Sequence, residues 1–299
     1  MRMKVGAAVG ALLAVVSGLV IGAGPAQADP GCPSMYVVAV PGTWETSDKG
    51  KIAPGNGMLG FVTRGLGPKV DVDYVSYAAT AFPWETEVYG RSKKQAVDHA
   101  RALATAMVQR CGDTKIALLG YSQGADAAGD LAAEIGTGLT LIPANRVAAV
   151  GLISDPRRSP TDMLVGPSVP GAGAGGPRIG GFGFVTPVVR SICAPGDLYC
   201  ATAQDDFVTR FAGFLAQSSD PNPANYARYQ QEGLAIFNDL MAFGGVPLLQ
   251  NQLSDQANLE RRRQLEKFYG EGAHTDYGAY TVEGVSATTW MANYFRSRI

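Results

Sequence analysis

Two histidines in 299 residues, His99 and His274, leave almost no material for a histidine-rich metal site. Cysteine is nearly as sparse. The four present, Cys32, Cys111, Cys193 and Cys200, contain no Cys-x-x-Cys pair, so the usual thiolate spacing for zinc is missing as well. No metal or cofactor is therefore expected. Charged residues make up only 17% of the chain and almost cancel, at a formal net charge of −1. That balance offers no basic surface of the kind nucleic acid or another polyanion selects. After residue 28 no apolar segment is long enough to span a bilayer, and neither a solenoid-type repeat nor a heptad run occurs. Hydrophobic residues, at 46%, are ample for a full core, and glycine, with 38 residues, is abundant.

The first 28 residues read as an export signal. Arg2 and Lys4 form a short positive region, Val5 to Ile21 is apolar and small, and Ala26-Gln27-Ala28 is an A-x-A cleavage site before Asp29. Gly10, Gly18, Gly22 and Gly24 make the same stretch a poor membrane anchor, and no Leu-rich lipobox precedes Cys32. The expected mature chain, Asp29 to Ile299, has 271 residues, 23 basic and 26 acidic. It suits one large α/β domain with decoration. Four cysteines in an exported chain suggest two disulfides, for which sequence alone permits three pairings. Cys193 and Cys200 enclose six residues, so a local staple is the simplest choice, which leaves Cys32 with Cys111. Loop-closure entropy gives roughly 2.5 kcal/mol for the short loop and about 4.5 for the long one. The short bridge is thus better suited to fixing the geometry of its contents than to holding the fold.

Strand and helix patterns alternate through the first half. Met35 to Val40 is a buried strand ending at Pro41-Gly42, and Val70 to Tyr77 alternates toward a second. Ala96, Ala100, Leu103 and Met107 place a helix over Glu87 to Arg110. Lys115 to Leu119 is a strand, Gln123 to Ile135 a helix and Arg146 to Ile153 another strand, a succession that predicts a parallel sheet covered on both faces. Pro167 to Phe184, with Gly-Ala-Gly-Ala-Gly-Gly at 171–176, predicts a mobile or surface-draped loop. Helical patterns then return. Phe207, Phe211, Phe214 and Leu215 form one apolar face, Leu234, Phe237, Leu240 and Met241 a second. Pro221 and Pro223 separate these two helices, a more polar stretch runs from Leu248 to Phe268, and Val285 to Phe295 closes the chain.

Gly120-Tyr121-Ser122-Gln123-Gly124 lies between that third strand and its helix, the strand–turn–helix setting of a G-x-S-x-G nucleophile elbow. A Cβ at either glycine would crowd the strand against the helix. The turn should expose the Ser122 hydroxyl at the head of a helix, whose dipole favours a developing oxyanion. A serine nucleophile needs a base and a carboxylate to orient it. His99 falls inside a helix as an ordinary surface residue. His274, in a loop before the final helix, has the late position expected of the base. Asp197, pinned inside Cys193–Cys200, is the first candidate for the acid; Asp155, past the strand ending at Ile153, is its rival, with a turn before Pro156 as its plain role. Asp276 reads as a loop or substrate-side residue. The oxyanion donors would be the backbone N–H of Gln123 and the loop after the first strand, where Thr43 offers both N–H and hydroxyl.

Taken together these residues resemble the cutinase family of serine esterases, and Pro-Gly-Thr-Trp-Glu-Thr at 41–46 is similar to the cutinase-like proteins of mycolic-acid-containing actinobacteria. The features are Gly-Tyr-Ser-Gln-Gly, the Cys-pinned Gly196-Asp197, His274-x-x-Tyr277-Gly278, and Cys32 and Cys111 before the first and nucleophile strands. The resemblance implies an α/β-hydrolase with an active site near the surface, a triad of Ser122, Asp197 and His274, and an oxyanion hole of Thr43 and Gln123. It implies a secreted or envelope-bound enzyme whose partner is a lipid or other acyl ester, with contact to cell-envelope lipids. Acyl transfer to a sugar or lipid hydroxyl, or a silent lipid-binding role, are the rival functions. One departure is large. Asp197 and His274 stand 77 positions apart, so about 202–270 is expected to be a helical insertion, either covering an acyl-binding groove or docked away from it.

Overall fold

A computed structural model describes residues 31–50, 53–220 and 222–299. The export-signal segment 1–28 and Pro221 lie outside the described residues. Six strands form one parallel sheet in the order β2-β1-β3-β4-β6-β5. They are β1 (Met35–Val40), β2 (Val70–Tyr74), β3 (Lys115–Tyr121), β4 (Val147–Ile153), β5 (Leu164–Val165) and β6 (Val189–Ile192). The short helix α1 (Gly60–Thr63) falls between β1 and β2, α2 (Tyr89–Arg110) precedes β3 and α3 (Gln123–Gly136) follows it. Because successive side chains in a strand point to opposite faces, β1 feeds two cores at once. Tyr36, Val38 and Val40 pack with residues of α2 and α3, whereas Met35, Val37 and Ala39 pack with α1 and the last helix, α8 (Ala287–Arg296). A two-residue hairpin, β7 (Thr281–Val282) and β8 (Val285–Ser286), leads into α8, so Val285 belongs to a strand rather than to the closing helix.

The chain leaves β1 for β2 on one side and then crosses to β3 on the other. The carboxyl ends of β1 and β3 therefore flank the point where winding reverses, which is where open α/β sheets bind ligands. The loop carrying Thr43 and the turn carrying Ser122 both arise there. Strands β5 and β6 were not expected from the sequence; with two and four residues they are too short for a period to declare itself.

The predicted insertion is helical, but it starts at α4 (Phe207–Gln217), continues through α5 (Tyr226–Phe243) and α6 (Gly245–Gln252), and ends with α7 (Asp255–Glu271). Thr202 belongs to the body, bridging Ala172 in both directions. Leu248 to Phe268 is two helices, because Ser254 caps the second through Ala257 N–H. The insertion has its own small core of Phe207, Ile236 and Leu240, with Phe211, Phe214, Leu248 and Leu249 against it. Leu215, Leu234, Phe237 and Met241 lie outside that core and are exposed, so of the two apolar faces expected here the first packs except for Leu215 and the second packs only through Leu240.

The Gly-rich loop is packed rather than free. Its amides at Ala172, Gly173, Ala174 and Gly175 donate to the carbonyls of Thr202, Arg158, Tyr199 and Pro156. Within the same loop, Arg178 is buried and gathers three carboxylates: Asp155 through two guanidinium nitrogens at 2.6 and 3.1 Å, Asp130 at 2.9 Å, and Asp126 at 3.7 Å. Lys93 reaches Asp126 and Asp130 from α2. The insertion plugs into this cluster: Gln217 of α4 bonds both Lys93 and Asp126, and Glu232 of α5 pairs with Arg157 at 2.6 Å. Asp155 is thereby explained. It is neither a simple turn residue nor a partner of a histidine, but one end of a buried ion pair.

Candidate active site

At the elbow, Ser122 has φ 54° and ψ −124° and stands directly before α3. The geometry depends on two glycines. A Cβ on Gly120 would come within 2.3 Å of the Gly124 carbonyl oxygen, and one on Gly124 within 1.9 Å of the Val40 carbonyl oxygen. Neither contact is possible without separating strand from helix, as the sequence pattern required. The serine is half-buried rather than open, since its Oγ meets His274 Nε2 at 2.9 Å. On the far side of the ring, His274 Nδ1 lies 3.1 and 3.2 Å from the two carboxylate oxygens of Asp197. Asp197 itself is fully buried and accepts from Tyr199 N–H at 3.0 Å and from the Tyr277 hydroxyl at 2.6 Å.

The structure thus brings Ser122, His274 and Asp197 together in one hydrogen-bonded line. His99 is elsewhere, on the exposed side of α2 with Nδ1 against the Ser76 carbonyl, and Asp276 is exposed in the histidine loop. Both expected disulfides are present, Cys32–Cys111 and Cys193–Cys200. The second closes the loop that carries Asp197. Replacing Cys193 and Cys200 together by alanine should lower kcat at least tenfold, while denaturant unfolding shows a stability loss of no more than about 2.5 kcal/mol.

Thr43 and Gln123 also meet, Thr43 Oγ donating to Gln123 Oε1 at 3.2 Å. The Gln123 amide is tied back to the Thr80 carbonyl at 2.9 Å, so its side chain braces the site rather than entering it. Its backbone N–H opens α3, where helix amides lack an intrahelical acceptor. Glu45 had no role in the sequence reading. Its carboxylate accepts from Gly42 N–H at 2.9 Å and Met58 N–H at 2.7 Å, fixing the Thr43 loop, and burial pushes its pKa up.

Three aromatic rings box the imidazole. Tyr121 stacks on it at 5.3 Å and bonds its backbone carbonyl at 2.8 Å; Tyr199 lies 4.5 Å away and Phe268 of α7 6.1 Å away, centroid to centroid. Tyr199 also meets Tyr269 hydroxyl to hydroxyl at 3.2 Å. The last turn of the insertion therefore borders the histidine. On the other flank Trp44, Phe82 and Trp84 form an exposed aromatic row, with Phe82 and Trp84 stacked at 4.7 Å and Trp44 held by Glu85. Trp84 is 79% exposed. Chemically, the line of three side chains can deprotonate a hydroxyl and hold the resulting imidazolium, and the amide at the head of α3 can receive an oxyanion.

The family model described as Cutinase matches residues 31–220. The chain belongs to the cutinase family. The matched part of the chain contains Ser122 and Asp197 but stops before most of the insertion and before His274. Among curated proteins it is 33% identical to the Carboxylesterase Culp6 homolog of Corynebacterium glutamicum over 209 residues, 59% of this chain and 67% of that one. It is 32% identical to Carboxylesterase Culp1 of Mycobacterium tuberculosis over 197 residues, 66% of this chain and 81% of that one. Among solved structures, the catalytic core domain of acetyl xylan esterase from Trichoderma reesei aligns over 69% of this chain and 98% of its own, with TM-score 0.46 and 21% identity. Lysin B from Mycobacteriophage D29 aligns over 88% and 99%, with TM-score 0.48 and 14% identity.

Proposed function

We propose that this protein is a secreted serine esterase that hydrolyses acyl esters of lipids, thioesters included, through Ser122, His274 and Asp197. Family membership makes it an enzyme acting on carboxylic esters. The finer assignment rests on the line Ser122 Oγ–His274 Nε2 at 2.9 Å and His274 Nδ1–Asp197 at 3.1 Å. His274 takes the proton as Ser122 attacks the carbonyl, and Asp197 stabilises the imidazolium that forms. The oxyanion is received by the Gln123 N–H and by Thr43, each such donor worth about 3 to 4 kcal/mol in the transition state. The His274 imidazolium gives that proton to the departing alcohol or thiol, leaving an acyl-Ser122, which water hydrolyses with the neutral His274 again as base. Two disulfides suit an oxidising compartment such as the cell exterior or envelope.

A lipid substrate is favoured by the exposed row Trp44, Phe82 and Trp84 beside the Thr43 loop, and by the insertion, whose α7 end borders His274. No single helix among the described residues is long and apolar enough to cross a membrane. Purified protein should hydrolyse p-nitrophenyl butyrate and palmitate with saturation kinetics; rates equal to those of buffer contradict the proposal. Phe268→Ala combined with Tyr269→Ala leaves the Gln217 and Glu232 anchors intact. It should move the ratio of palmitate to butyrate kcat/KM at least fivefold, and an unmoved ratio removes the insertion from substrate choice.

A further inference from the structure

The strand end that supplies Asp155 to Arg178 turns the preceding residue the opposite way. Ser154 is fully buried, with φ 54°, and its N–H is anchored on the Ile192 carbonyl at 2.9 Å. Left-handed φ is uncommon for a residue with a Cβ and clusters where the surrounding structure has a use for it. Here it aims the hydroxyl at the imidazole. Ser154 Oγ lies 2.9 Å from His274 Nδ1, nearer than either oxygen of Asp197. One N–H faces three oxygens, and the two carboxylate distances are nearly equal, so it is shared rather than directed at one of them. Tyr277 donates to Asp197 Oδ2 at 2.6 Å and accepts from Ala194 N–H at 3.0 Å. Burial, reinforced by the Asp197 charge, raises the Tyr277 pKa far above its ordinary value, so this phenol keeps its proton.

We infer that Ser154 is a positioning residue for His274, its hydroxyl forming a second hydrogen-bonded arm on Nδ1 beside Asp197. In this arm Nδ1–H donates to Ser154 Oγ as well as to the carboxylate, which Tyr277 holds from its other side. Because a carboxylate can only accept, the imidazole proton sits on Nδ1, which leaves the Nε2 lone pair free for the Ser122 hydroxyl. When the Ser122 proton reaches Nε2, Nδ1–H becomes part of a cation and both contacts strengthen. The carboxylate holds the charge; the serine arm fixes the ring angle.

The inference rests on the proposed esterase mechanism and is tested separately from it. Ser154→Ala and Ser154→Gly should each lower kcat about tenfold with KM unchanged, the loss of one hydrogen bond to a charged group. Glycine adopts positive φ freely, so it separates the hydroxyl from the backbone. If glycine restores the wild-type rate while alanine does not, φ rather than the hydroxyl matters and the inference is overturned; wild-type kcat in both variants also overturns it. In the unaltered protein, 15N NMR of His274 should show Nδ1 protonated and Nε2 bare, and the opposite tautomer contradicts the arm. An unaltered enzyme that a fluorophosphonate fails to label at Ser122 would sink the mechanism itself, whereas labelled enzyme with unaffected Ser154 variants sinks only this inference.

Discussion

Ser122→Ala should reduce ester hydrolysis by about 10⁴- to 10⁶-fold while leaving the fold intact. The proposed mechanism makes the loss this large, because it leaves no other group in the described site to replace Ser122 as nucleophile. The oxyanion donors and the binding surface remain, so a small residual rate over water is expected. Folding should be untouched, since the Ser122 side chain makes no cap to α3 and what the elbow needs structurally is Gly120 and Gly124. Alanine at φ 54° is a modest strain, and Ser122→Gly controls for it. Steady-state kinetics beside far-UV circular dichroism checks both halves. His274→Ala should fall into the same range, because residues that act as a unit cost nearly the same singly as together.

Arg178→Ala should lower stability by about 3 to 5 kcal/mol, the cost of leaving buried carboxylates without their cation. Among the described residues Arg178 is the one cation in ion-pair contact with Asp155, and it shares Asp130 with Lys93. Lysine in its place should not restore the loss, because a single ammonium cannot make the two parallel bonds that Asp155 receives. Urea unfolding reads the difference. pH gives a second signature. Burial alone would raise the Asp130 pKa, but Lys93 and Arg178 outweigh it and hold this carboxyl well below its ordinary range. A carboxyl depressed on folding contributes stability that is fully present above its unfolded pKa of about 4 and is lost as pH falls below that. Asp130 therefore contributes a loss of wild-type stability on acidification, and that contribution should shrink in Arg178→Ala. The cluster also joins insertion to body through Gln217 and Glu232, so the same variant should loosen α4 and α5, seen as faster amide exchange there.

The parts of this site that were legible in the sequence are those whose signals are local. The elbow declares itself because its two glycines and the serine lie within five residues and the strand and helix adjoin them. Asp197 is legible because a six-residue disulfide loop restricts it, and His274 because the chain offers one other histidine, already committed to a helix. What was not legible depends on distant partners. Arg178 looked like part of a Gly-rich surface loop; only the fold reveals that it meets Asp126, Asp130 and Asp155. Asp155 could be weighed as the acid from its place at a strand end, yet its neighbour Ser154 carries the contact to His274, a one-residue distinction set by a left-handed φ that no composition encodes. The insertion's helices followed from their apolar faces, but which residues of each face would be buried depended on how they pack on one another.

Mass mapping after treatment with a fluorophosphonate tests the central claim most directly. A single phosphonylated residue, Ser122, is expected in the unaltered protein, with no label in Ser122→Ala and labelling slowed by orders of magnitude in His274→Ala. An unlabelled wild type, or a label on another residue that survives Ser122→Ala, would contradict it.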